Sequence, residues 1–269
     1  MIRRARLDTE LVRRGLARSR EQAAELVAAG RVSVSGSTAA KAATQVEEGT
    51  SIKVADDTDD PGYASRGGHK LAGALTAFAP AGLTVDGRHC LDAGASTGGF
   101  TDVLLRAGAA TVLAVDVGYG LLAWRLRTDE RVTVVERTNV RTMEPADLPG
   151  PTPDLVVADL SFISLRLVLA ALRRCAAPDA DFLLMVKPQF EVGRDRLGAG
   201  GVVRDPQLRT ESVVAVAAAA ADLGLGVAAV TASPLPGPSG NVEYFLWLNP
   251  AAPPLNLSDV DRAVAQGPQ

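Results

Sequence analysis

From residue 88 onward the chain alternates short, almost wholly apolar runs with longer stretches of helical spacing. The runs are HCLDAG at 89–94, TVLAVD at 111–116, VTVVE at 132–136, DLVVA at 154–158, DFLLMVK at 181–187, residues 227–233, and VEYFLWL at 242–248. Between them, residues 100–106, a stretch reaching Cys175 and an alanine-rich segment at 206–223 carry the helical pattern. A strand apolar at successive positions is buried on both faces, as strands of a parallel sheet covered by helices are. The pattern predicts an α/β domain with a seven-stranded, mainly parallel sheet whose last two strands close like a hairpin. A further helix starts near His69, with Leu71, Leu75 and Phe78 on one face.

The first 58 residues follow another rhythm. Leu7, Leu11, Val12 and Leu16 recur at helical spacing. Ser19 is placed as an N-cap with Gln22 at the capping-box position, opening a helix that carries Ala23, Leu26 and Val27 and stops at Gly30. RVSVS at 31–35 and SIKV at 51–54 read as short strands. Together, RLDTELVRRGLARSREQAAELVAAGRVSVSG resembles an S4 domain, a small α+β RNA-binding module. Residues 59–68 read as a linker, 69–250 as the α/β domain, and 251–269 as a proline-rich, then polar tail with no predicted element.

Charge changes the picture locally. The chain of 269 residues has a formal net charge of −3, so no global attraction to nucleic acid follows. Arg3, Arg4, Arg6, Arg14, Arg18 and Arg20 nevertheless crowd its start. A basic segment on an acidic protein points to a local anionic partner, and the arginine fork suits phosphate. The resemblance implies that these arginines face RNA, and Arg66 in the linker is a further candidate for phosphate contact. Cys90 and Cys175 belong to no CxxC pattern and read as buried, reduced thiols. His69 and His89 lack ligand spacing, so no metal is expected. No run is long and apolar enough for a membrane span, and the start lacks the apolar core of a secretory signal. A cytoplasmic protein is expected, of unknown oligomeric state.

Candidate chemistry sits at strand ends. Residues 92–100 (Asp92, Ala93, Gly94, Ala95, Ser96, Thr97, Gly98, Gly99, Phe100) follow the first strand of the sheet, where glycines allow tight turning and close approach to a ligand. The G-A-S-T-G-G spacing departs from the GxGxxG of nicotinamide enzymes, and no lysine followed by serine or threonine supports a P-loop. The loop resembles motif I of class I (Rossmann-like) methyltransferases that use S-adenosyl-L-methionine. Asp116 then stands where ribose hydroxyls would be bound, and Glu136 and Asn139 near the adenine.

Lys70, Asp159, Lys187 and Glu243 converge on the same end of the domain, in RGGHK, ADLSF, VKPQFE and SGNVEYF. Charged groups at the mouths of apolar strands are costly without a partner or a task. In these contexts they resemble the Lys-Asp-Lys-Glu tetrad of FtsJ-like ribose 2′-O-methyltransferases. The resemblance implies that Lys187 takes the proton of a ribose hydroxyl, that Lys70 is a nearby like charge favouring the neutral amine, and that Asp159 and Glu243 orient the lysines. Asp159 also borders the cofactor. Pro188 disfavours helical geometry at Lys187. Phe162, Phe190 and Tyr244 lie beside the site as stacking platforms or core residues.

With an S4-like module followed by an FtsJ-like domain, the chain resembles the TlyA family of rRNA cytidine 2′-O-methyltransferases, whose members also carry the name haemolysin. The motifs DAGASTGGFT, DVGYGLLAW, VVADLSFISL, VKPQFEVG and SPLPGPSGNVEYFLWL carry that resemblance. It implies methylation of 16S and 23S rRNA cytidines in 30S and 50S subunits, and the arginine-rich start is similar to the longer actinobacterial members. One departure is PGYASRGG, where mycobacterial members have an Arg-x-Trp-Val-type segment. Two other readings remain: a noncatalytic RNA-binding assembly factor, and a pore-forming haemolysin.

Overall fold

The computed structural model describes residues 4–17, 19–55, 61–237 and 239–268. The chain divides into two compact units, Met1–Pro61 and Gly62–Gln269. Helix α3 begins two residues inside the expected linker.

In the first unit, strand β1 (Arg4–Arg6) leads directly into helix α1 (Leu7–Arg13), followed by α2 (Arg20–Ala28), β2 (Val32–Val34), β3 (Ser37–Thr38), β4 (Gln45–Glu47) and β5 (Ile52–Val54). β1 pairs antiparallel with β4, and β2 lies between β3 and β5. The Ser19 hydroxyl caps α2 by accepting from Gln22 N at 3.1 Å. Leu7, Leu11, Ala23, Val27, Val32, Val46 and Ile52 form the core. One expectation changes here. Leu16 falls outside α1 and is exposed. Arg4 and Arg6 flank Ala5 on β1, and Ala5 sits opposite the buried Val46.

The second unit opens with α3 (Gly67–Phe78) and continues through β6 (His89–Ala93), α4 (Gly99–Arg106), β7 (Thr111–Val115), α5 (Trp124–Arg127), β8 (Val132–Val135), β9 (Leu155–Ala158), α6 (Leu169–Arg174), β10 (Asp181–Val186), α7 (Pro188–Glu191), α8 (Pro206–Ala221), β11 (Gly226–Ala232), β12 (Tyr244–Asn249) and α9 (Leu257–Gln266). The seven strands run in the order β11-β12-β10-β9-β6-β7-β8, with β12 antiparallel to both of its neighbours.

Alternate residues of each central strand serve two cores. Leu91, Val156, Phe182, Leu184 and Leu246 face α6, α8 and α9. Cys90, Val157, Leu183, Met185 and Phe245 face α3 and α4. Burial on both faces explains the unbroken apolar runs. Chain order reverses between β6 and β9, so their carboxyl ends frame the switch point where doubly wound sheets bind ligands.

The segment after Pro250, expected as a tail, is part of this unit. Val227 N donates to Pro253 O at 2.8 Å, Asn256 caps α9, and α9 buries Val260, Ala263 and Val264 against β11 and α8. The pattern escaped notice because a short seam of small residues follows a proline-rich stretch. Truncation after Pro253 removes two buried valines at roughly 1.5–3 kcal/mol each. A fall of about 3 kcal/mol or more in unfolding free energy is expected in urea denaturation, and unchanged stability would refute the docking of α9.

Candidate active site

The loop between β6 and α4 is fixed by its backbone. Gly94 N and Ala95 N both donate to Val115 O, at 2.9 and 3.1 Å, tying the loop to the end of β7. Gly94 has φ +88°, and a Cβ there would lie 2.7 Å from the Asp159 carbonyl oxygen. Gly98 has φ +96°, and a Cβ there would lie 2.8 Å from Leu122 Cδ1. Side chains at these two positions would be strained and crowded, which accounts for glycine at both. Ser96 and Thr97 are exposed, Gly99 is buried at the start of α4, and Ala95 is buried. Phe100 packs into the core against Phe245, with ring centroids 6.0 Å apart.

Asp116 follows β7 and accepts from Ser96 N at 2.8 Å and from Gly118 N at 2.7 Å. Together with Ala95, Ser96, Ala114, Gly118, Leu121, Leu122, Val134 and Glu136 it lines a small cleft. Glu136 accepts from Gly120 N at 2.8 Å and pairs with Arg127. Asn139 is not among the lining residues. Its side chain accepts from Arg141 N at 3.0 Å and caps the 3₁₀ turn Val140–Thr142.

Asp92 lies behind the loop. It is fully buried, and its Oδ2 accepts from the Thr101 hydroxyl at 2.6 Å. Its Oδ1 has no partner among the described residues. Burial pushes the carboxyl up to about 7, with the charges of Asp159 and Asp116 acting the same way and the Thr101 hydrogen bond opposing. Below its ordinary value of 3.8 the proton is held in both folded and unfolded states. Above that value the unfolded chain ionises while the native state keeps the proton, so stability falls as pH rises, until the native carboxyl also ionises near 7. Asp92→Asn removes this cost. Its stability relative to the parent should rise by on the order of 2 kcal/mol between pH 5 and 8, read from denaturant midpoints. An equal difference at both pH values would contradict the buried, neutral carboxyl.

The four charged residues form two ion pairs. Lys70 Nζ, on α3, is 2.5 Å from Glu243 Oε2, at the start of β12, and both residues are buried. Lys187 Nζ, after β10, is 2.6 Å from Asp159 Oδ1, after β9, and donates to Ser161 Oγ at 3.0 Å. The pairs are neighbours: a Cβ at Gly67, one turn before Lys70 on α3, would lie 3.7 Å from Asp159 Oδ2. Each lysine has its own carboxylate counterion, which offsets the cost of burying it. Lys187 has φ −111° and ψ 101°, the extended geometry expected before Pro188.

Of the three aromatics, Tyr244 is core, at 0% exposure. Phe162 is 91% exposed with φ +64°, and its ring lies 5.3 Å from that of Phe190. Lys187 Nζ stands 6.0 Å from the Phe190 centroid.

Sequence reasoning missed Glu191. It is 7% exposed and accepts from Ser164 Oγ at 2.5 Å, Leu165 N at 2.7 Å and Arg166 Nε at 3.3 Å, pinning the loop that carries Asp159, Ser161 and Phe162 to α7. The only signal was an acidic residue closing VKPQFE. Asp102 was missed likewise. Buried in the first turn of α4, it accepts from Ala64 N at 2.8 Å and pairs with Arg106 and Arg125, and these groups outweigh burial and hold its carboxyl below the usual range.

The arginines divide by partner. Arg4 pairs with Glu47 at 3.0 Å. Arg6 and Arg20 both bind Asp8, at 2.8 and 3.2 Å. Arg14 is turned to internal work: it binds Glu10 at 2.6 Å and donates to Thr50 O and Glu48 O, both at 2.7 Å. Arg66 donates to Pro236 O at 3.1 Å. Arg3 and Arg18 lie outside the described residues. Among the described residues no group of His, Cys, Asp and Glu is arranged to hold a metal, and no helix is long and apolar enough to cross a membrane. Cys90 and Cys175 are free and buried.

The FtsJ-like methyltransferase model matches residues 63–250 and the S4 domain model residues 5–52. A 16S/23S rRNA (cytidine-2′-O)-methyltransferase TlyA from Mycobacterium tuberculosis is 60% identical over 273 residues, and the match covers all of both chains. The chain belongs to the TlyA family. Another relative, Hemolysin A of Brachyspira hyodysenteriae, is 35% identical over 240 residues, covering 89% of this chain and 98% of its own. A solved structure named as a haemolysin, from Streptococcus thermophilus, is 38% identical with a TM-score of 0.79, covering 99% of this chain and 96% of that one. Membership makes this TlyA-family protein an enzyme whose methyl donor is S-adenosylmethionine. The residues present fit such a donor in kind: Asp116 and Glu136 offer carboxylate oxygens beside the apolar Ala95, Ala114, Leu121, Leu122 and Val134.

Proposed function

We propose that the protein transfers a methyl group to the ribose 2′-hydroxyl of cytidines in 16S and 23S rRNA, acting in the cytoplasm on both the 30S and the 50S subunit. The observation that carries this reading is the Lys187–Asp159 pair at 2.6 Å beside the glycine loop and an exposed phenylalanine. The full-length likeness to a relative named for both rRNAs favours two subunits over one.

The residues proposed to hold the cofactor are the loop from Gly94 to Gly99, Asp116, which keeps lone pairs for ribose hydroxyls, and Glu136, with Asp92 and Phe100 supporting the loop from behind. When bound, S-adenosylmethionine supplies an electrophilic methyl group carried on a sulfonium. A ribose hydroxyl is a weak nucleophile while it keeps its proton. Lys187, in its amine form, accepts that proton at Nζ, and Asp159 and Ser161 fix the position of Nζ and stabilise the ammonium that results. Lys70 and Glu243 hold α3 and β12 together beside them. No covalent enzyme intermediate is required, so alignment supplies much of the rate.

Phe162 serves as the platform for the target base. A phenylalanine almost wholly in solvent on a left-handed backbone is doubly unfavourable in isolation, and such strain collects at functional sites. Stacking a base on an aromatic ring contributes about 1–3 kcal/mol. Phe162→Ala should therefore raise KM for ribosomal subunits by roughly 5- to 100-fold with folding intact. Unchanged steady-state kinetics would remove Phe162 from this role. The proposal as a whole is tested by incubating the protein with tritiated S-adenosylmethionine and unmodified 30S or 50S subunits. Label in rRNA is expected, and its absence from both subunits would refute the proposal.

A further inference from the structure

We infer that Asp8 is a positioning residue for RNA binding: it joins Arg6 and Arg20 into one preorganised clamp for a backbone phosphate. The inference rests on the reading of the first unit as RNA-binding.

Asp8 is an acidic residue in the most basic stretch of the chain, and it is 4% exposed. Its carboxylate accepts from Arg6 Nε at 3.1 Å and Nη2 at 2.8 Å, from Arg20 Nη2 at 3.2 Å, and from Thr9 N at 2.8 Å. Arg6 ends β1 and Arg20 begins α2, so two separate elements deliver guanidinia to a single buried anion. The side chains of Arg6 and Arg20 stay 45% and 61% exposed. Each fork uses only part of its donors on Asp8, and the rest have no partner among the described residues.

The other arginine cluster of this unit has a different design. Glu10 is equally buried, and hydrogen bonds from Arg13, then Arg14, hold its carboxyl down at about 2. The Arg14 side chain is only 22% exposed and spends its fork on two backbone carbonyls as well. Arg13 is 50% exposed but also faces Glu48 at 3.7 Å, so both arginines of that cluster have further partners in the unit, whereas among the described residues Arg6 and Arg20 have only Asp8.

Exposed arginines sample many rotamers, and ordering them on binding weakens association. Asp8 imposes that order when the unit folds. Its carboxyl stays ionised throughout the working range, because the Arg6 hydrogen bond and then that of Arg20 outweigh burial and hold it far below the usual range. Two guanidinia against one carboxylate leave a positive site with unused donors, which suits a phosphate.

The consequence has a sign that simple electrostatics does not share. Removing a carboxylate beside two arginines raises the local positive charge, and charge alone would then tighten RNA binding. Positioning requires the reverse. For full-length Asp8→Asn, checked for folding by thermal melting, KM for unmodified 50S and 30S subunits should rise about tenfold, with kcat within about twofold. In an Arg6→Ala/Arg20→Ala background the same substitution should raise KM no further.

An unchanged or lower KM in folded Asp8→Asn, beside a raised KM in the arginine variant, overturns the role of Asp8 alone. An equal rise in the Arg6→Ala/Arg20→Ala background overturns it in favour of plain stabilisation. An arginine variant with unaltered KM overturns the RNA-binding reading and the clamp together. Should Asp8→Asn not fold, Arg20→Lys keeps the charge but loses the planar fork. A KM rise of about threefold is then expected, and no rise overturns the clamp.

Discussion

Lys187→Ala should lower the rate of methyl transfer by about 10²–10⁴-fold while S-adenosylmethionine affinity stays within about twofold. The asymmetry follows from where the side chain sits. Lys187 leaves the end of β10, and its amine meets Asp159 and Ser161 beside exposed Phe162. It is not among the residues lining the cleft next to Asp116 that is proposed for the cofactor. Asp159 keeps 24% side-chain exposure, so losing its partner leaves a carboxylate that water can reach. Lys187→Arg separates two accounts of the lysine. Arginine preserves the positive charge but stays protonated, so it cannot accept a proton. It should be as inactive as alanine in single-turnover transfer, with cofactor binding followed by calorimetry. An arginine variant retaining a tenth or more of the parental rate would show that charge alone suffices.

The second large effect is on stability. Glu243→Ala leaves the Lys70 ammonium, at 7% side-chain exposure, without its counterion. Removing one partner of a buried pair costs about 3–5 kcal/mol. For a unit of this size each kcal/mol lowers Tm by about 2–4 °C, so a fall of roughly 6–20 °C is expected in thermal melts. Replacing both partners by methionine removes the uncompensated charge. Most of the lost stability should return in Lys70→Met/Glu243→Met, because apolar pairs of similar volume substitute well for buried ion pairs. Transfer should stay low in that double variant, since the charges beside Lys187 are gone. A double variant as unstable as Glu243→Ala would mean that the pair contributes more than mutual neutralisation.

The sheet was legible because its strands are buried on both faces. In DFLLMVK every residue but the ends is apolar, and Phe182, Leu184 and Val186 meet one helical layer while Leu183 and Met185 meet the other. The glycine loop was legible because Gly94 and Gly98 stand where only a residue without a side chain fits. Pairing between distant residues was not. Lys70 and Glu243 are 173 positions apart, and nothing local says that Lys70 takes Glu243 while Lys187 takes Asp159. The same blindness covers the arginines. Arg6 and Arg14 look alike in sequence, yet Arg14 is bound to backbone carbonyls and Arg6 remains half exposed. Helix α9 was missed because its buried seam is only Val260, Ala263 and Val264, too narrow to stand out after a proline-rich run.

The proposed methyl acceptor is a cytidine 2′-hydroxyl of ribosomal RNA. The most direct test is to methylate unmodified 30S and 50S subunits with purified protein and S-adenosylmethionine, digest the rRNA to nucleosides, and identify the product by mass spectrometry. 2′-O-Methylcytidine is expected from both 16S and 23S rRNA with the parent protein, and none with Lys187→Arg. A methyl group found only on a base, or no methylated nucleoside from either subunit, would contradict the proposal.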